Sequence, residues 1–276
     1  MSRLATLPWA TWRRQALALA RQELSRRLFS RRSLPVYILL AAPVGFAALR
    51  ALLLPLVMRA DVAETTRQFG MMFHVFLLRI VVYLGCAGLF INLFRGEILD
   101  RSLHYSLLAP LRREVLVVGK YLGGLVTSIV ALTVMTAVTY LLFYLPHGVA
   151  GWAQVASATG LGSLARYLLA VALGCLGYGA LFILAGLLFK NPMVPAMVFL
   201  GWELVVPFLP PVLKMLSITH HLTSFYPVPI ASGPFAMLAE PTPPLLAVLG
   251  LLIVSAVLLT LAAWRARYLE ISYATD

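Results

Sequence analysis

Few side chains in this 276-residue sequence can do chemistry, and their spacing argues against catalysis. Val118-Gly119-Lys120-Tyr121 carries the Gly-Lys pair of a phosphate-binding loop, but lacks the upstream glycine and the Ser or Thr that would hold magnesium. His220 and His221 are adjacent, so on a helix or strand they point to different sides. A metal site there would need further ligands, which the surrounding sequence does not supply. HExxH and GxSxG motifs are absent. Cys86 and Cys175 lie inside apolar runs with no CxxC pair or disulfide framework, and read as small packing residues. No catalytic residue, metal ligand or cofactor is expected in this chain.

Three charges remain that need an explanation, Arg50, Arg79 and Glu203, each embedded in an apolar run. An unpaired charge inside a bilayer costs at least about 2.5–3.5 kcal/mol. At about 1.5 Å per residue, Arg50 and Arg79 each lie roughly 10 Å below the outer surface. Glu203 lies roughly 15 Å from the inner end of its run. These depths predict a Glu203–Arg79 pair, with Arg50 as the alternative partner. Such a pair serves either structure or a substrate path.

The elements that position these residues are membrane helices. Hydrophobic residues make up 61% of the chain and charged residues 12%, with a mean hydropathy of +0.91. Soluble domains average about 45–50% and about 25%. That composition excludes a soluble enzyme, which needs charges on its surface, and excludes disorder, which cannot carry so much apolar area. The net charge of +12 marks loops and anionic headgroups rather than nucleic acid, because no soluble domain presents a basic face.

Residues 8–33 predict an amphipathic helix in the membrane interface, with Trp9, Trp12, Leu17, Leu24 and Leu28 on one side and seven arginines for anionic lipid. The first long apolar run starts only near Leu34, after eight arginines, so the N-terminus does not read as a signal peptide. Six runs are expected to span the membrane, at 34–57, 72–94, 115–144, 164–189, 193–213 and 244–264. Residues 214–243 are too apolar for a free loop and too rich in proline for a span, which predicts a re-entrant external hairpin. Sixteen Lys and Arg fall on the side that holds the N-terminus, against Arg59, Arg67 and Lys214 opposite and Arg166 at a boundary. Both termini are therefore expected in the cytoplasm. Gly119-x3-Gly123, Ala170-x3-Gly174 and Cys175-x3-Gly179 are candidate helix contacts.

The link between the second and third runs, 95–114, is long among short cytoplasmic connections. Asp100 and Ser102 can cap a short helix that Pro110 ends, with Leu103 and Leu107 as an apolar edge and Arg101, His104 and Arg112 as donors beside it. These residues alone fit either a rod that docks on a soluble partner or a plain interfacial loop.

The stretch 94–120, FRGEILDRSLHYSLLAPLRREVLVVGK, resembles the permease subunits of type-2, exporter-like ATP-binding-cassette (ABC) transporters. The matching positions are Glu97, Ser102-Leu103, Leu107-Leu108-Ala109-Pro110, Arg112 or Arg113, and Gly119-Lys120, with Arg101-Ser102 where that family often has Gly-Thr. The layout of basic interfacial helix, six spans and apolar external hairpin is similar too. The resemblance implies an all-α polytopic membrane protein forming one single domain over 1–276. It implies a cytoplasmic coupling helix in 95–114 that docks a separate ATPase through Glu97, Arg101, Leu103, Leu107, Pro110, Arg112 and Arg113. ATP and magnesium would be bound by that ATPase. A second permease copy or a related permease would complete the path, as a dimer in a prokaryotic cell (inner) membrane. The alternatives are an ion- or proton-coupled carrier, which should show several intramembrane acids, and a membrane anchor or assembly protein.

Overall fold

In a computed structural model of the chain, residues 9–27, 34–57, 61–99, 112–208, 210–227 and 243–268 are described. Every regular element among them is helical. The order is α1 (Trp9–Arg27), α2 (Leu34–Val57), α3 (Val62–Met72), a π-helical stretch (Phe73–Val82), α4 (Tyr83–Leu99) and α5 (Arg113–Tyr144). A 3-10 turn (Leu145–His147) leads to α6 (Gly148–Ala156), and α7 (Ala158–Leu188) and α8 (Met193–Val205) follow. After a second 3-10 turn (Val206–Phe208) come the short α9 (Pro211–Lys214) and α10 (Ile218–Thr223), then α11 (Pro244–Arg267).

Five of these helical stretches are long and apolar enough to cross a membrane. They match the first, second, third, fourth and sixth predicted runs. The fifth, 193–213, differs. Its helix α8 has 13 residues, about 20 Å at 1.5 Å per residue against a core of about 30 Å. Pro207, Pro210 and Pro211 withhold backbone donors just beyond it, so the α-helix cannot continue. The second run is longer than predicted. It begins at Val62 and continues to Ile98 without a break, because the polar segment Glu64–Gln68 is helical although it is not apolar.

The core lies between α4, α5 and α7. Phe90 of α4 is fully buried and sits where side chains on Gly124 of α5 and Gly179 of α7 would otherwise be. Tyrosine hydroxyls satisfy carbonyls across helices: Tyr83 donates to Ala196 at 2.6 Å, Tyr121 to Leu176 at 2.8 Å and Tyr140 to Gly160 at 3.1 Å. In lipid such bonds replace those water would offer. Cys86 and Cys175 are free and buried in this core. Ser157 caps α7 by accepting from the Gly160 N–H at 3.0 Å.

The first half of the predicted hairpin folds back into the bundle. Ile218 of α10 packs on Gly177 of α7 and near Leu251 of α11. Gly177 lies about 16 Å from the α7 C-terminus, so α10 packs along the middle of that helix. Residues 228–242, the rest of the predicted hairpin, lie outside the described residues.

Candidate functional site

Helix α1 lies along the first turns of α5. Gly119 and Gly123, one of the small-residue pairs marked in the sequence, make that approach close. A methyl group on Gly123 would stand 2.9 Å from the Ala20 carbonyl oxygen and 2.8 Å from Glu23 Cβ. The packed face of α1 is thus Ala16, Leu19, Ala20 and Glu23. Leu17, expected on the apolar side, is half exposed.

That approach carries Glu23 to Lys120. The Lys120 ammonium donates to Glu23 Oε1 at 2.9 Å, to Glu97 Oε1 at 2.6 Å and to the Leu93 carbonyl at 3.1 Å. All three of its protons are used. Its side chain is 2% exposed, and those of Glu23 and Glu97 are 9% and 14% exposed. One buried cation therefore ties α1, α4 and α5 together at one end of the bundle. The face of the Phe94 ring lies 5.3 Å from the same ammonium.

Among the described residues Glu97 pairs with Lys120 of α5, and α1 contributes the acid Glu23 to the same cation. Lys120 and Glu23 are functional candidates that the sequence reading missed as partners. The signal was available, since Glu23 is the only acid among the seven arginines of residues 8–33.

Arg112 and Arg113 are engaged within the chain. The Arg112 guanidinium stacks 4.3 Å over the Trp12 ring of α1. Arg113 donates to the Arg267 carbonyl at 2.8 Å and to the Ala266 carbonyl at 3.4 Å, at the end of α11. Arg267 in turn pairs with Glu114 at 2.5 Å. The start of α5 is thereby joined to α1, α4 and α11 at once. Arg101, Leu103, Leu107 and Pro110 lie outside the described residues.

The intramembrane charges are arranged differently from expectation. Glu203 takes the Ser217 hydroxyl on Oε2 at 2.5 Å, the Ile218 N–H on Oε1 at 3.1 Å and the Thr219 N–H on Oε2 at 3.3 Å. Its carboxylate thus receives the first free N–H groups of α10, where the helix dipole favours negative charge. A buried acid here solves the problem of starting a helix away from water. Ser217 completes the cap by accepting from the His220 N–H at 3.2 Å. Arg50, the alternative partner, is held elsewhere, by the Phe143 carbonyl, Thr65 Oγ1 and Gln68 Oε1 at 3.1, 3.3 and 2.9 Å. It also stacks 4.5 Å over the Phe143 ring. Arg79 lies on the π-helical stretch and, with Glu203, is within electrostatic range of the Tyr226 hydroxyl.

A cavity of about 690 Å³ opens between α7, α8 and α11, with Leu181, Phe199, Trp202, Ile253 and Val257 among its walls and Glu203 as the only acid among its described lining residues. Among the described residues no group of three or more His, Cys, Asp or Glu is placed to hold a metal ion. His221 instead packs on Gly250 of α11 and bonds the Met215 carbonyl at 2.9 Å. The chain matches none of the protein-family models it was scanned against, and no curated protein matches it.

Proposed function

We propose that this chain is the membrane-spanning permease subunit of an ATP-driven transporter of the ABC class, an exporter, working with a separate ATPase. It would form half of the translocation path, and a second copy or related permease would form the other half. In this reading the N-terminus and residues 95–114 face the cytoplasm, and α8 with the turns after it supplies the sixth crossing. ATP and magnesium belong to the ATPase.

The observation that carries the reading is the meeting of Glu97 with Lys120. These two positions of the family-like motif are 23 residues apart and bracket the segment proposed to dock the ATPase. Their ion pair closes the base of that segment, and Glu23 anchors the closed base to α1. A loop with a clamped base transmits a push to the helices that a freely hinged loop would absorb. The apolar cavity beside α8, open to one side of the bundle, suits half of a path lined by two subunits.

The test is purification from native membranes. An ATPase bearing a phosphate-binding loop should co-purify, and Leu103→Asp should leave this chain folded but weaken that association. Loss of a buried leucine is worth about 1.5–3 kcal/mol, or at least tenfold in affinity. If the variant retains full ATPase binding and transport, the segment is an ordinary connection and the proposal fails.

A further inference from the structure

A second cavity, of about 590 Å³, lies at the same end of the bundle between α1, the start of α5 and the end of α11. Its floor is apolar: Ala16 and Leu17 on one side, Val115, Val118 and Leu122 on the other. Ala16 is buried at its base, whereas Leu17 and Val118 are 50% and 42% exposed, so the upper part of this floor is open. Its rim is basic. Among the described residues Arg13, Arg112 and Arg267 line it with a single acid, Glu114, which leaves two net positive charges. Glu114 is already paired with Arg267, whereas Arg13 is exposed and pairs with no carboxylate among the described residues. Trp12 closes one edge, and the exposed Trp264 and Tyr268 stand on the last turn of α11. Aromatic rings of this kind sit at the level of lipid headgroups.

We propose that this groove is a binding site for an anionic phospholipid of the surrounding membrane. The arginine rim holds the headgroup phosphate and the Leu17–Val118 floor takes the first part of an acyl chain. Apolar floor and basic rim meet at the membrane interface, and a basic pocket between helices on that boundary selects acidic headgroups. A soluble anion would use the rim alone and leave the floor wet. The site is independent of the transporter reading, since it requires only that the chain be embedded in lipid.

The test is native mass spectrometry of the intact chain released from detergent in the presence of phosphatidylglycerol or phosphatidylcholine. Two net charges at about fivefold each predict that phosphatidylglycerol is retained roughly 25-fold better. Arg13→Gln should cut that preference about fivefold. Arg67→Gln, the same charge change on the exposed α3, should leave it unchanged. Leu17→Gln with Val118→Gln should lower retention of phosphatidylglycerol without altering the melting temperature in phosphatidylcholine. Glycerol 3-phosphate should fail to displace the lipid. Equal retention of the two lipids would overturn the proposal, as would equal losses for Arg13→Gln and Arg67→Gln. Displacement by glycerol 3-phosphate would assign the rim to a soluble anion. Binding that appears only after removal of residues 269–276 would make the chain's own C-terminal segment the occupant. Either of these last two results overturns the proposal as well.

Discussion

The cluster around Lys120 should respond very unequally to loss of its members. Among the described residues one ammonium faces two carboxylates. Glu23→Gln leaves a neutral Lys120–Glu97 pair, and the new amide oxygen can still accept from the ammonium. The cost should stay below about 1 kcal/mol, the net worth of one hydrogen bond. Glu97→Gln leaves the mirror situation and should cost as little. Both changes together strand an ammonium that is 2% exposed, which should cost about 3–5 kcal/mol. The double variant therefore exceeds the sum of the singles by about 1–3 kcal/mol. Lys120→Met leaves two carboxylates beside each other without the cation they share and should be equally damaging. Adding both glutamines to Lys120→Met removes every charge and should return stability to within about 1 kcal/mol of the parent. Denaturant unfolding of the detergent-solubilised chain measures all of these. Trypsin cleavage at Arg13, Arg14 and Arg21 reports separately whether α1 has lifted from α5. A double variant whose loss equals the sum of its singles would refute the shared-cation reasoning.

Other perturbations probe the remaining contacts. Gly123→Ala should push α1 away from α5, because its methyl group would stand 2.9 Å from a backbone carbonyl; a loss of about 1–3 kcal/mol and faster trypsin cleavage of α1 are expected. Glu203→Leu should strand the Ile218 and Thr219 N–H groups at about 1–3 kcal/mol each, while Arg79→Gln added to it should recover nothing; recovery in unfolding measurements would restore the Glu203–Arg79 pair first expected. For orientation, a cysteine placed at Arg67 should react with an impermeant reagent on intact cells and one at Arg112 should not, and the reverse pattern would invert the proposed topology.

The membrane helices were legible because a crossing needs about 20 apolar residues and five runs supply them without interruption. The shortened α8 was less so. Its hydropathy continues to residue 213, and only the backbone consequence of Pro207, Pro210 and Pro211 ends the helix early. The extension of the second run to Val62 was hidden because Glu64, Arg67 and Gln68 break the apolar pattern without breaking the helix. At the candidate site, Glu97 and Lys120 were visible one by one. Their contact depends on how the chain returns after residue 111, which no local pattern encodes. Glu203 was rightly marked as needing a partner. Charge counting looked for an arginine, whereas the donors are a hydroxyl and two backbone N–H groups, which leave no signature in composition.

The uninterrupted course from Val62 to Ile98 has a mechanical consequence. At about 1.5 Å per residue it is roughly 50 Å long, well beyond a bilayer core of about 30 Å. One terminus carries Thr65 and Thr66, bonded to Arg50, His147 and Tyr144, and the other carries Glu97 on Lys120. A shaft fixed at both ends conveys torque as well as thrust. Rotation of the Glu97 end must reach the Thr65 end unless something between them gives. The π-helical stretch Phe73–Val82 is where it can give, since its wider turns can tighten and shift the phase of every residue beyond them. Arg79 rides on that compliant section, so its bearing toward Tyr226 would report the twist of the whole shaft.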